Sequence, residues 1–270
     1  MKALDRILNG LIFFFLYAPL LVMVFFSFNE GRSTAVFSGF SFKWYIEMFT
    51  NRDTMLALQN TLILALLSSV IATLLGTMAA VGISKMRSQA GRSAIMTTTN
   101  IPMMNPDIVT GVSMMLLFVF VGRIFMADNS LGFLTLLIAH ITFNLPYVVL
   151  NVLPKLRQTD RHLAEAAMDL GCTPLLAFFK VTLPAIRPGI LAGFLMAFTM
   201  SLDDFVISYY TSGPNFQTLP LKIFSMTKKT VKPDMYALSS LLFITILVLL
   251  IMVNVAQAKA DKQNQLNARR

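Results

Sequence analysis

The sequence predicts an all-α integral membrane protein with six transmembrane helices, and three observations predict it. Of 270 residues, 56% are apolar and only 13% are charged, about half the charged share of an ordinary soluble domain. Long apolar runs alternate with short polar segments, and the net charge of +9 comes from basic residues between those runs. Scattered in this way, the basic residues fit membrane-flanking loops better than a nucleic-acid surface. Six crossings of roughly 20 residues each leave loops too short for a catalytic or ATP-binding domain, so the chain reads as one membrane domain over 1–270 that another chain must energise. Cys172 is the single cysteine, which excludes an internal disulfide and a cysteine-based zinc site.

The first span is expected over 10–28, where no ionisable acid or base interrupts the run. It exceeds the usual apolar core of a signal peptide, and no small-x-small pattern follows Phe28, so it reads as a retained helix. The second span falls at 61–83, with Ala72, Thr73, Gly76, Ala79 and Ala80 small enough for close helix contact. The third follows Pro102 and Pro106 and covers 104–125. A fourth is expected over 131–153 with Pro146 as a kink, a fifth over 190–210 and a sixth over 236–256.

Basic residues are unequally divided between alternate loops. Lys85, Arg87 and Arg92 lie in the second loop, Lys155, Arg157, Arg161, Lys180 and Arg187 in the fourth, and Lys259, Lys262, Arg269 and Arg270 in the tail. They outnumber the opposite set, of which Arg32 in the first loop and Lys222, Lys228, Lys229 and Lys232 in the fifth are the main members. The excess of Lys and Arg marks the cytoplasmic side, which predicts both termini in the cytoplasm.

The fourth loop, 154–186, reads as a protrusion rather than a linker. Asp160 suits an N-cap, good helix formers run to Leu170, and Gly171 suits a left-handed stop. A short helix, a turn and a second short helix are expected. Ala164, Ala166 and Ala167 make one part of the surface small, and Glu165 offers a carboxylate near the helix start.

Glu165-Ala166-Ala167, three residues, Gly171, nine residues, then Val181, any residue and Leu183-Pro184 resembles the cytoplasmic loop signature of ABC importer permeases, with Val181 where that family commonly has Ile. The resemblance implies the type I importer permease fold, with the loop acting as a coupling helix. It implies that these residues dock in the cleft of a cytoplasmic ATPase and transmit its closure to the spans.

Three acids fall inside apolar segments: Asp107, Asp203 and Asp204. Each costs about 2.5–3.5 kcal/mol at a helix centre, and no Lys or Arg shares the middle of a span. Water in a central cavity, or a cationic substrate passing through it, would relieve them. Adjacent helical residues point about 100° apart, so unless the helix is locally unwound one of Asp203 and Asp204 is expected on the path while the other bonds backbone or pairs at an interface; a polar interface holding the pair is the competing reading. Asp107 follows Pro106, whose ring interrupts the helix start; a capping role is the competing reading. Trp44 and Tyr17 are further candidates for the path, since ring faces attract cations, although aromatics near span ends also serve as interfacial anchors. His140 reads as a hydrogen-bonded packing residue, because the other histidine, His162, lies in the loop. No metal site and no catalytic group is expected.

Pro106-Asp107-Ile108-Val109, Ser201-Leu202-Asp203-Asp204-Phe205-Val206, Thr211-Ser212-Gly213-Pro214 and Leu219-Pro220-Leu221-Lys222-Ile223 resemble the permeases of spermidine/putrescine importers. That resemblance implies a bacterial inner-membrane subunit translocating spermidine or putrescine. It also implies a homologous second permease, an ATPase homodimer that holds ATP and Mg, and an extracytoplasmic polyamine-binding protein, with no cofactor in this chain. The alternatives are an importer permease for another small solute, a passive channel and an intramembrane hydrolase. An anion would want Lys or Arg in the spans, and the Tyr-Asp, Gly-x-Gly-Asp and Gly-x-Ser-Gly contexts of intramembrane proteases are missing.

Overall fold

A computed structural model describes residues 2–31, 36–125, 131–160, 162–228 and 233–268. Arg32, Arg161, Lys229, Lys232, Arg269 and Arg270, which enter the charge asymmetry, lie outside the described residues. In chain order the helices are α1 (Lys2–Phe26), α2 (Lys43–Thr50), α3 (Arg52–Lys85), α4 (Gln89–Met104), α5 (Asp107–Ile124), α6 (Phe133–Gln158), α7 (His162–Asp169), α8 (Pro174–Ala177), α9 (Leu183–Asp203), α10 (Val206–Thr211), α11 (Leu219–Thr227) and α12 (Pro233–Ala268). A π-helical turn, Phe178–Thr182, joins α8 to α9. Extended pairing among the described residues is confined to one antiparallel bridge, Asn29 with Phe40.

Among the described residues, six helical segments are long and apolar enough to cross a membrane: Arg6–Phe26, Arg52–Lys85, Asp107–Ile124, Phe133–Gln158, Pro174–Asp203 and Asp234–Met252. Several differ from the expected spans for local reasons. The second begins at Arg52 because Asn51 Oδ1 accepts the Thr54 N–H at 3.1 Å, an Asn cap that lets the polar first turns join the helix. The fourth continues to Gln158 through Pro146 and Pro154. The fifth extends back to Pro174, so the expected second short helix of the loop, α8, is the first part of a longer helical segment. The basic segment after the second span folds as α4, opened by Ser88 Oγ accepting from Gly91 N at 3.2 Å and closed before Pro106.

The described residues form two compact units, Met1–Gln59 with Thr218–Leu247, and Asn60–Gln217 with Val248–Arg270. In the first, Met48, Ala57, Leu219 and Leu238 make the buried cluster. The segment after α1 is organised by Asn29, whose Oδ1 accepts from Ser38 N at 2.8 Å and whose Nδ2 donates to Val36 O at 2.8 Å. Along α1 the apolar side chains are exposed, Phe15 at 79%, as a lipid-facing or subunit-facing helix requires.

In the second unit, Ala72, Ala80, Ile83, Val148, Val149, Val152, Leu153, Ile186 and Ala197 form the core. Its backbone is the α6–α9 pair. A side chain at Gly193 would begin 3.2 Å from Val148 Cα, and one at Gly189 would begin 2.8 Å from Asn151 O. With His140 opposite Ser201 as well, the partners descend along one helix as they ascend the other, so α6 and α9 are antiparallel. Glycine permits this approach because without a driving force between apolar helices and apolar lipid, close backbone packing is what holds spans together. Gly76 on α3 meets Val148 in the same way.

Candidate functional site

The fifth span does not continue to Tyr210. Helix α9 stops at Asp203; Asp204 is extended, φ −62° and ψ 123°, and a new helix, α10, starts at Val206. The break has a chemical cause. Asp204 Oδ1 accepts from Ile207 N at 3.2 Å and Oδ2 from Ser208 N at 2.7 Å, so the carboxylate takes N–H groups at the start of α10 that the preceding turn would otherwise have served. A negative group at a helix N-terminus also meets the positive end of its dipole.

A second set of contacts locks this carboxylate. His140 on α6, fully buried, sets Nε2 3.4 Å from Asp204 Oδ2 and 3.1 Å from Ser208 Oγ. Its Nδ1 lies 2.6 Å from Ser201 Oγ, which is 3.0 Å from Ser68 Oγ on α3. One imidazole thereby joins the last turn of α9, the first turn of α10 and the second span. Asp204 is the interface-bound member of the pair. Asp203 is exposed at the end of α9 and enters no ion pair among the described residues.

Asp107 is the first residue of α5 and is exposed; Pro106, with φ −57° and ψ 136°, precedes it. One turn on, Gly111 lets α5 close on α10: a side chain there would begin 2.9 Å from Tyr210 Cδ2 and 3.5 Å from Val206 O. The start of α5 and the α9–α10 break therefore belong to one neighbourhood of the second unit. Gly213, at φ +68°, ends that neighbourhood; a side chain would collide with the Leu131 carbonyl.

The two aromatic candidates belong to the first unit. Trp44 is 4% exposed, its Nε1 donates to Asn29 O at 2.6 Å, and Lys43 Nζ lies 5.3 Å from its ring centre. Packing and the loop's hydrogen bonding account for it without a substrate. Tyr17 sits on the exposed α1 with its ring stacked on Phe13 at 6.4 Å.

Beside the π turn, α7 carries Glu165, Ala166 and Ala167 on a helix with no buried residue. Asp160 Oδ1 accepts from His162 N at 2.9 Å, and His162 Nδ1 lies 2.9 Å from Glu165 Oε2. The helix ends as its sequence dictates: Gly171 has φ +88°, Cys172 N donates to Ala167 O at 3.0 Å and Gly171 N to Met168 O at 2.9 Å, the paired bonds of a Schellman stop. Val181 lies in the π turn, and Leu183 and Pro184 open α9. Leu163, Leu170, Leu175 and Phe179 are exposed beside them, Leu170 at 87%.

Sequence reasoning placed His140 in the packing but not its partners. The available signal was polar side chains, Ser68, Ser201 and Ser208, standing in apolar runs where each needs a partner.

Six membrane-length helices among the described residues, one of them ending in a break beside two carboxylates, mark a polytopic membrane protein. The chain belongs to the family described as binding-protein-dependent transport system inner membrane component, whose model matches residues 72–263. That family is one of membrane permeases. The chain is 39% identical over 251 residues to the putrescine transport system permease protein PotI of Escherichia coli K12, covering 93% of this chain and 89% of that protein. It is 37% identical over 252 residues to the spermidine/putrescine transport system permease protein PotC of the same strain, covering 92% and 93%. In fold it is similar to a chain of a bacterial ABC transporter that imports the acidic polysaccharide alginate, with a TM-score of 0.69 at 17% identity over 97% of this chain and 95% of that one.

Proposed function

We propose that this chain is the transmembrane permease subunit of an ATP-driven importer that carries putrescine, spermidine or both across the bacterial inner membrane. The observation that carries the reading is Asp203: an exposed carboxylate at the helix break where the fifth span ends, with no cation paired to it among the described residues. A carboxylate so placed is costly unless water or a cation meets it, and a polyamine brings ammonium groups. The similarity to polyamine permeases over nine-tenths of the chain supports the same substrate class. Asp107, at the neighbouring helix start, would serve the same path.

The partners follow from that class: a homologous second permease, an ATPase homodimer holding ATP and Mg, and an external polyamine-binding protein. Both termini would face the cytoplasm. Glu165, Ala166, Ala167, Gly171, Val181, Leu183 and Pro184 would form the ATPase-docking surface. Its exposed apolar tip suits burial in a cleft. Closure of the ATPase would push α7, and the continuous helix from Pro174 to Asp203 would carry that displacement towards the carboxylates.

The test is reconstitution of the complete transporter in sealed proteoliposomes, with uptake of labelled putrescine and spermidine measured with and without ATP. ATP-dependent, saturable accumulation supports the proposal. Equilibration without ATP would make the chain a channel, and ATP-driven uptake of neither amine would remove the substrate class.

A further inference from the structure

We infer that His140 is a positioning residue for substrate: it holds Asp204 as the cap of α10 and thereby fixes the helix break that presents Asp203 to the path. This rests on the polyamine-importer reading for its transport readout, but its geometry stands on the contacts themselves.

His140 contacts both sides of the break. Ser201, one turn before Asp204, and Ser208, one turn after it, each set a hydroxyl within 3.1 Å of a different ring nitrogen. A single rigid ring bound at both nitrogens holds the end of α9 and the start of α10 at one fixed separation. The proton arrangement is self-consistent. With hydrogen on Nε2, the ring donates towards Asp204 and Ser208, while Nδ1 accepts the Ser201 hydroxyl. Ser201 and His140 then deliver donors in one direction, towards the carboxylate.

Asp203 and Asp204 are neighbours, and on a continuous helix their side chains would stand about 100° apart. What fixes the direction of Asp203 is therefore where the helix stops. If His140 no longer holds Asp204, the carboxylate loses its buried partner and keeps its cap bonds to Ile207 and Ser208. The last turn of α9 can then lengthen or unwind by a residue, and either change swings Asp203 away. His140 touches no part of the path itself, since it is fully buried between helices; it acts through Asp204.

The test uses the reconstituted full transporter with His140→Leu, which removes both ring nitrogens at similar bulk, and His140→Gln, which restores a donor near the Nε2 position. His140→Leu is expected to raise KM for putrescine about tenfold while the maximal rate falls less than twofold, with Gln recovering most of the loss. On an Asp203→Asn background the same Leu substitution is expected to leave KM within twofold. A fall in maximal rate or in assembled transporter with KM unchanged, or a KM effect that adds in full to Asp203→Asn, would overturn the inference.

A second measurement needs no transported substrate. Because Cys172 is the single cysteine, Asp203→Cys in a Cys172→Ser background can be labelled with a cationic methanethiosulfonate. His140→Leu is expected to change the labelling rate at least fivefold and His140→Gln to restore it; an unchanged rate overturns the inference. Changed labelling with no amine uptake in the wild type would instead remove the polyamine reading and keep the positioning role.

Discussion

His140 Nε2 stands 3.4 Å from Asp204 Oδ2, joining α6 to the break between α9 and α10. That contact separates two adjacent aspartates by role: Asp204 is occupied by His140 and by two backbone N–H groups, whereas Asp203 remains open.

Substitutions at the two aspartates should therefore diverge. Asp203→Asn is expected to reduce putrescine uptake at limiting concentration at least tenfold, with the thermal midpoint of the purified transporter unchanged within about 2 °C. Asp204→Ala leaves His140 and the N–H groups of Ile207 and Ser208 without their acceptor, at a cost of roughly 1–3 kcal/mol, and is expected to lower the midpoint. Thermal scans in detergent beside uptake assays decide between these outcomes; equal loss of stability in both variants would show that the two acids share one structural role.

Gly171 has open space around its α-carbon but a φ of +88°, so any effect of substitution there is conformational rather than steric. A residue with a Cβ pays on the order of 1–2 kcal/mol for the left-handed conformation, and Asn pays least. Recovery of the ATPase in affinity purification is expected to fall in the order Gly, Asn, Ala, Val. Undiminished recovery with Gly171→Val would separate the α7 stop from docking.

At Gly189 the constraint is steric, because a side chain would begin 2.8 Å from the Asn151 carbonyl oxygen. Gly189→Val is expected to force α6 and α9 apart at a cost of about 1–3 kcal/mol, lowering the thermal midpoint by several degrees. Gly10→Val, on α1 with no neighbour within 4 Å, is the control and should leave it unchanged.

Asn144, fully buried on α6 one turn beyond His140, has no hydrogen-bond partner for either atom of its amide among the described residues. Removing an unpaired buried amide relieves a penalty of roughly 1–3 kcal/mol. Asn144→Leu is expected to keep or raise the thermal midpoint, and Asn144→Asp to lower it. A drop of several degrees with Leu would show that the amide is bonded in the assembled transporter.

Much of this architecture follows from the chain read residue by residue. Long apolar runs with few charges mark six spans because a bilayer disfavours charge and demands internally bonded backbone. Gly171 marks the end of α7 because a left-handed stop disfavours any Cβ. The spacing from Glu165 to Pro184 points to the permease family because it is a long pattern on one exposed protrusion. These are local properties, carried by residues close together in sequence.

Tertiary structure alone decided which aspartate is bound, where the fifth span breaks and what Trp44 does. Helical periodicity states that Asp203 and Asp204 diverge, but the partner that captures Asp204 comes from another helix, and the carbonyl that takes the Trp44 indole N–H belongs to Asn29 in the loop after α1. The same holds for the extended reach of the fifth span back to Pro174, where α7 packs on the π turn and α8. A side chain's role is set by the energy of the contacts it completes, and a contact between helices exists only once their close-packed glycine faces have brought them together.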